Sequence, residues 1–427
     1  MILCIPVPAA RLAAGAMLGW ALAGTATAQS VPARLPLDTA SVSPGSPATL
    51  AQATEAAWRR ASQSREVDSQ ARRAEAQRTA AASLWPTPPA LELSHRSDRW
   101  QTDAGRKETE AAVSWPLWLP GQQRAQAAVA DADGALAQAA APAGRLHLAG
   151  RVREAAWALH GQRLETELAQ AQLRHLQALA DDVDRRVRAG DLAPADALAA
   201  RSEVLAAESA LGVARQRQAE AVATWKLLTG LDDIPTLDPG HPPAAPAQIA
   251  PDQHPDAQLA ALVVERARRR LDLLETTRRD PAELRVSIRQ DLPGRGDSAQ
   301  NSLGLGIRIP LGTAGRNEPL RAAALGDLDV AETAQQRTLE RLAAEAATAH
   351  LAVRAAAQQM DGEDRRAALL HERAALVERS FKAGETPLPD LLRALSAAAQ
   401  ADISRARHRA AWGLAQARLQ QASGILP

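Results

Sequence analysis

The chain of 427 residues offers nine His, 49 acidic residues and one Cys for chemistry, and their spacing excludes the usual catalytic constellations. His371-Glu372 begins like a zinc-protease helix, but no second His follows one turn later, so two imidazoles do not share a helix face. The run G-L-G-I-R-I at residues 304–309 lacks the third glycine of a dinucleotide cradle and leads into an alternating strand. The His are scattered singly and read as solvated helix residues. Cys4, the only Cys, lies in a leader segment, which leaves the mature chain no thiol nucleophile, disulfide or soft metal site. No catalytic residue, metal site or cofactor is expected, and the chain does not read as an enzyme.

The residues with a positional logic are glycines and carboxylates at two turns. A-G-D-L-A-P-A-D at 189–196 carries Gly190, Asp191 and Asp196, and A-G-E-T-P-L-P-D at 383–390 carries Gly384, Glu385 and Asp390. Glycine tolerates the positive φ that ends one helix, and the Pro and Asp that follow open the next. A carboxylate there also meets the positive end of the new helix, worth roughly 0.3–1 kcal/mol. Each turn therefore reads as the sharp end of a helical hairpin.

Gly190 and Gly384 are 194 residues apart, and the same shift carries Pro116 onto Pro310, Gly121 onto Gly315, Asp196 onto Asp390 and Gly230 onto Gly424 without a gap. A register kept that long means one structural unit written twice. The expected organisation is a leader at residues 1–28, a first repeat at 29–240 and a second at 241–427.

Composition points to long rods. The chain has one Phe and no Tyr, while its abundant Ala, Leu, Glu, Gln and Arg favour helices packed through small side chains. Arg11, the apolar run 12–24 and A-T-A at 26–28 read as a secretory signal cut before Gln29, too short to remain as an anchor. With 50 basic and 49 acidic residues the charge is balanced, which argues against nucleic acid as a partner.

The elements that position the turns follow in order. A helical run at 49–83, capped by Thr49, precedes extended segments at 90–100 and 108–119; a run at 255–280 precedes segments at 283–292 and 302–311. In the first pair Val113, Trp115 and Leu117 alternate with Glu110 and Ser114; in the second Leu303, Leu305, Ile307, Ile309 and Leu311 alternate with Gly304, Gly306 and Arg308. Both pairs read as β-hairpins with polar loops. Trp85, Trp100, Trp115 and Trp118 fall in or beside the first, as a membrane-interface belt would.

Each hairpin leads into a helical run of about 68 residues, roughly 100 Å, and each returning helix has about 37 residues, roughly 55 Å. Pro142 with Gly144 predicts a kink in the first long helix. The helices before each hairpin can stack end to end on the returning helices, and the Pro-rich stretch 231–254 forms a collar at that level.

Four strands of spanning length leave open edges, which lipid does not tolerate, and closed membrane barrels begin at about eight strands. The fold class is therefore mainly α with a small β part. It combines long antiparallel helical hairpins (an α-barrel) with four transmembrane strands per chain in a trimeric 12-stranded β-barrel, built by internal duplication.

At this point P-L-W-L-P-G-Q-Q-R and P-L-G-T-A-G-R-N after the hairpins, H-P-D-A at 254–257, R-V-R-A-G-D-L-A-P-A-D-A-L and S-F-K-A-G-E-T-P-L-P-D-L-L at the tips carry a likeness. In their order and spacing the chain resembles the TolC-type outer-membrane efflux proteins over essentially its whole mature length. The resemblance implies a homotrimeric exit duct in the outer-membrane lipid of a Gram-negative bacterium, with its helical barrel in the periplasm. It also implies docking onto a periplasmic adaptor and an inner-membrane pump of the resistance-nodulation-division type. Carried over, the adaptor-contacting tip turns are Gly190, Asp191, Gly384 and Glu385, and the periplasmic gate is Asp196, Asp390, Phe381 and Arg393. Thr386 stands where well-known members have an Arg and Arg393 where they have an Asp, so Arg393, Lys382 or Arg188 supply the closed-state cations.

The compact length and the lack of a C-terminal extension lean towards the heavy-metal-efflux branch, with multidrug or type I secretion ducts as alternatives. A periplasmic adaptor would instead show one hairpin flanked by lipoyl-like segments.

Overall fold

The computed structural model describes residues 49–237 and 251–427, all within one compact unit. The leader and its cleavage site lie outside the described residues, as does most of the collar, from residue 238 to 250.

Thr49 caps α1 (Leu50–Arg60) with a full capping box: its hydroxyl accepts from Gln52 N–H, and the Gln52 side chain accepts from Thr49 N–H. The single helix expected at 49–83 is broken. Ala61 is extended, at φ −70° and ψ 138°, and α2 (Ser62–Ala81) starts beyond it. Strands β1 (Ala90–Ser97) and β2 (Lys107–Leu117) follow, then α3 (Gln122–Ala189) and α4 (Pro194–Thr229). The second repeat runs α5 (Pro255–Thr276), β3 (Ala282–Leu292), β4 (Gln300–Arg308), α6 (Ala314–Lys382) and α7 (Leu388–Ala422).

Three strands end earlier than expected, β2 at Leu117 rather than 119. Trp100 lies in the β1–β2 loop, where the Asp98 carboxylate accepts from Thr102 Oγ1 at 3.0 Å and Ala104 N–H at 2.9 Å and turns the chain. Ile309 and Leu311 lie past β4, whose continuation is stopped at Pro310, a residue with no N–H for a ladder. Helix α3 runs on as one helix through Pro142, and Gly144 there leaves room for the Trp58 indole, 3.0 Å from the place of a Cβ.

The helices form four columns. Long α3 is packed by α2 and α4 and also by α5 and α7, whereas among the described α-helices α6 is packed by α5 and α7. The expected end-to-end columns are present: the end of α4 meets α1 where Gly230 lies against Arg60, and the end of α7 meets α5 where Gly424 lies against His254. The column order is thus α1–α2 with α4, then α3, then α5 with α7, then α6.

Between α3 and α7 the approach is close. Gly150 faces the Gln421 amide, Gly161 faces Ala410, and Gly413 lies directly under the Trp157 indole. Buried Arg153 donates to Gln421 Oε1 and to the Ile425 carbonyl, both at 2.8 Å, and burial pushes its guanidinium down to about 10. Arg407 makes a two-pronged bond to Glu165 at 2.7 and 3.1 Å.

The four strands make one antiparallel sheet in the order β1-β2-β3-β4. Its register places Leu91, Val113, Val286 and Leu305 in one row, Leu93, Ala111, Ile288 and Leu303 in the next, and Trp115, Leu284 and Ile307 in a third, all on one face. The other face carries Glu92, Glu110, Arg285 and Arg289 with Gly304 and Gly306.

Candidate functional site

The two tips are built alike. Gly190 and Gly384 take φ of 86° and 81°. Asp191 N–H reaches Arg186 O at 2.9 Å and Gly190 N–H reaches Val187 O at 3.1 Å; Glu385 and Gly384 repeat both bonds, to Ser380 O and Phe381 O, each at 3.0 Å. This is the Schellman ending, in which a left-handed residue lets two N–H groups turn back onto the last carbonyls. Pro194 then opens α4, and the Asp196 carboxylate accepts from Ala193 N–H at 3.2 Å.

Asp390 occupies the same place in the first turn of α7 and is held by an ion pair with Arg393. Lys382 is engaged within its own helix by Glu378 at 2.8 Å, and Arg188 donates to the Asp184 carbonyl at 3.2 Å. Thr386 closes its turn through the Ser380 hydroxyl at 2.6 Å. Asp191 and Glu385 are exposed at the outermost points of the tips.

Phe381 lines no opening within the single chain. It is 3% exposed, in a core shared by Leu176 and Val183 of α3, Ala200 and Ala207 of α4, and Leu388, Leu391 and Leu392 of α7, with the Arg186 guanidinium 5.2 Å from its ring. It therefore fastens the two hairpins to each other.

A polar junction near the middle of the columns was not legible from residue types. His254 caps α5 by accepting from Asp256 N–H at 3.1 Å, and Asp256 is bonded by His147 Nε2 at 2.8 Å and Arg341 at 3.4 Å. The bond to Asp256 pushes the His147 imidazole up. Burial pushes Asp256 up too, but the bond and charge of His147, the charge of His254 and the bond from Arg341 outweigh it and leave the carboxyl below its ordinary value. Burial lowers His254. The H-P-D-A motif was the one available signal, and it marked two of these residues.

The sheet is the other site. Its apolar face is exposed: Leu93 is 71%, Leu303 76% and Leu305 75% accessible. Its charged face is cross-linked by Arg285, 2.9 Å from Glu92 and 3.2 Å from Glu110, and by Arg289, 3.1 Å from Glu108. Trp85, Trp115 and Trp118 lie at the helix end of the strands, where Trp118 Nε1 donates to Ser83 O at 3.1 Å, and Trp100 lies at the loop end, 91% exposed. Among the described residues no helix is long and apolar enough to cross a membrane and no cluster of His, Cys, Asp and Glu could hold a metal ion.

The architecture is thus a four-stranded sheet with one apolar and one charged face, set on paired helical columns. The same fold is seen in VceC from Vibrio cholerae, with a TM-score of 0.70 at 16% identity over 88% of this chain and 96% of that one. CmeC of Campylobacter jejuni is similar, at 0.69, 14%, 88% and 85%. The open state of MtrE from Neisseria gonorrhoeae matches at 0.65, 17%, 88% and 89%. No curated protein matches by sequence. Residues 255–425 match the family described as outer membrane efflux protein.

Proposed function

We propose that this chain is the passive exit duct of a tripartite efflux system, working as a homotrimer. The observation that carries this reading is that, among the described residues, both layers end in open edges. In the sheet β1 and β4 each lack a second neighbour among the described residues. Among the helices, α4 and α6 expose apolar stripes: Leu198 and Leu205 at 68% and 65%, and Leu369 and Leu376 at 68% and 51%. The seven-residue spacing within each stripe suits a coiled seam, and joining the α6 edge of one copy to the α4 edge of the next is a heterologous contact that closes into a ring. Three copies supply twelve strands, enough for a closed barrel.

Tip turns with exposed Asp191 and Glu385 suit the end that meets a periplasmic adaptor, above an inner-membrane pump of the resistance-nodulation-division type. Asp196, Asp390 and Arg393 are the gate groups of this reading, and Trp85, Trp100, Trp115 and Trp118 its interface anchors. The cargo we favour is heavy-metal cations; multidrug or type I secretion cargo is the alternative. Growth of a deletion strain on Zn, Co, Cd and Cu salts, dyes, detergents and antibiotics tests it. Sensitivity confined to metals supports metal efflux; sensitivity to dyes and antibiotics discards it.

A further inference from the structure

The outward end of the sheet carries a polar girdle that neither a closed barrel nor an exit duct requires. Along the apolar face, the rows of Leu, Ile, Val and Trp give way on all four strands to one row of His95, Thr109, Gln290 and Asn301. The row is exposed, and its members are bonded pairwise: His95 Nδ1 lies 2.9 Å from Thr109 Oγ1, and Gln290 Nε2 donates to Asn301 Oδ1 at 3.3 Å. Two residues further out, on the same face, comes Lys107. From Trp115 at the helix end to Lys107 is eight residues, about 27 Å along the strand at ~3.4 Å each, close to the ~25 Å apolar band of an outer-membrane barrel.

Beyond the girdle the two loops are braced together. Arg295 of the β3–β4 loop forms an ion pair with Asp103 of the β1–β2 loop, and its N–H donates to Ala104 O at 3.0 Å. The acids at this end are largely engaged: Asp98 in its turn, Asp103 with Arg295, Glu108 and Asp291 with Arg289. Arg99, Arg106 and Lys107 are exposed and, among the described residues, have no acidic partner within ion-pair distance. Trp100 stands beside Arg99, 91% exposed. Hydrogen-bonding groups at headgroup depth, unpaired cations above them and an amphipathic ring alongside match a phosphorylated sugar attached to acyl chains.

We propose that this girdle, with Lys107, Arg99 and Arg106, binds the phosphorylated glycolipid of the outer leaflet. The sugar hydroxyls meet the His95–Thr109–Gln290–Asn301 row, and the phosphates meet the three cations. The proposal rests on the outer-membrane placement of the loops. Cations near an anionic lipid surface contribute up to about fivefold each, so three together amount to as much as a hundredfold.

The test uses the full-length protein, assembled and detergent-solubilised, titrated with bisphosphorylated lipid A, with its dephosphorylated form and with phosphatidylcholine, retention being read by native mass spectrometry at two salt concentrations. The expected result is preferential, salt-weakened retention of the bisphosphorylated lipid, reduced ten- to hundredfold in a triple variant of R99Q, R106Q and K107Q. Equal retention of phosphorylated and dephosphorylated lipid, or an unchanged triple variant, overturns the proposal. A triple variant that does not assemble is replaced by R99Q/R106Q, whose sites are in the loop or beside it, and the same criteria apply. Absence of the protein from the outer-membrane fraction overturns the placement itself, a separate failure.

Discussion

Gly424 lies against the imidazole of His254: a Cβ at that glycine would come 2.9 Å from the ring's Cδ2 and 3.1 Å from Pro255 Cδ. The contact is repeated 194 residues earlier, where a Cβ at Gly230 would come 2.8 Å from Arg60 Nη1. Both glycines have positive φ, 74° and 73°. Each contact is the joint at which a returning helix stacks on the helix leading to a hairpin.

The joint and tip glycines should therefore differ. Alanine at Gly190 or Gly384 meets nothing within 4 Å and carries only the left-handed backbone cost, roughly 1–2 kcal/mol. Alanine at Gly424 adds a clash with a buried ring and should lose a further ~1–3 kcal/mol. Denaturant melts of the three variants decide; equal losses would show that the joint is not tightly packed.

Gly413→Ala should be the more disruptive change in α7, because a Cβ there would enter the Trp157 ring. A loss at or above the upper end of the ~1–3 kcal/mol typical of overpacking is expected. Trp157→Leu in the same chain should recover part of it, and a double mutant no better than Gly413→Ala alone would refute the contact.

Phe381→Ala removes a 3% exposed ring from the core joining the hairpins, with an expected loss of about 3–5 kcal/mol. Hydrogen exchange should quicken around residues 176–207 and 388–395 and change little in the sheet. Uniform quickening would mean that Phe381 is not a local fastener.

On the reading of the tips as the entrance, replacing Asp196 and Asp390 together by Ala should raise single-channel conductance. The Asp390–Arg393 pair is solvent-exposed, and such pairs contribute about 0–1 kcal/mol, so folding should change little. Unchanged conductance with normal assembly would count against the gate.

The His147–Asp256 bond gives a pH dependence of known sign. The His147 pKa is raised above 6.5, so its contribution is full below that pH and is lost as pH rises through the folded value. The melting midpoint should accordingly fall as pH is taken upward from about 6.5, and His147→Gln should flatten that decline. Below 6.5 the buried, lowered His254 acts in the opposite sense, since its protonation is disfavoured in the fold. A slope above pH 6.5 identical in wild type and His147→Gln would refute the assignment.

The duplication also explains the helix break. The shift of 194 carries Ala61 onto Pro255, and α5 begins at Pro255 behind the cap residue His254. The first repeat therefore starts its matching helix at Ser62. The repeat was legible in the chain, but Ala61 carries no helix-breaking chemistry of its own. The break coincides with the arrival of Gly230 at Arg60, from 170 residues away.

Local order was determined by sequence alone: the hairpin ends at Gly190 and Gly384, the Thr49 cap, and the alternation that gives the sheet one apolar face. These depend on backbone preferences and on periods of 2 and 3.6 residues, which neighbouring residues specify. Only the tertiary structure decided that Phe381 lies in a core, that Gly413 admits Trp157, that His147 meets Asp256, and that α4, α6, β1 and β4 are left as edges. A period states which face of an element is apolar and leaves the partner of that face open. Partner choice is settled by the fit of side chains hundreds of residues apart, and small residues such as Gly413 or Gly424 acquire meaning only once the bulky neighbour is in place.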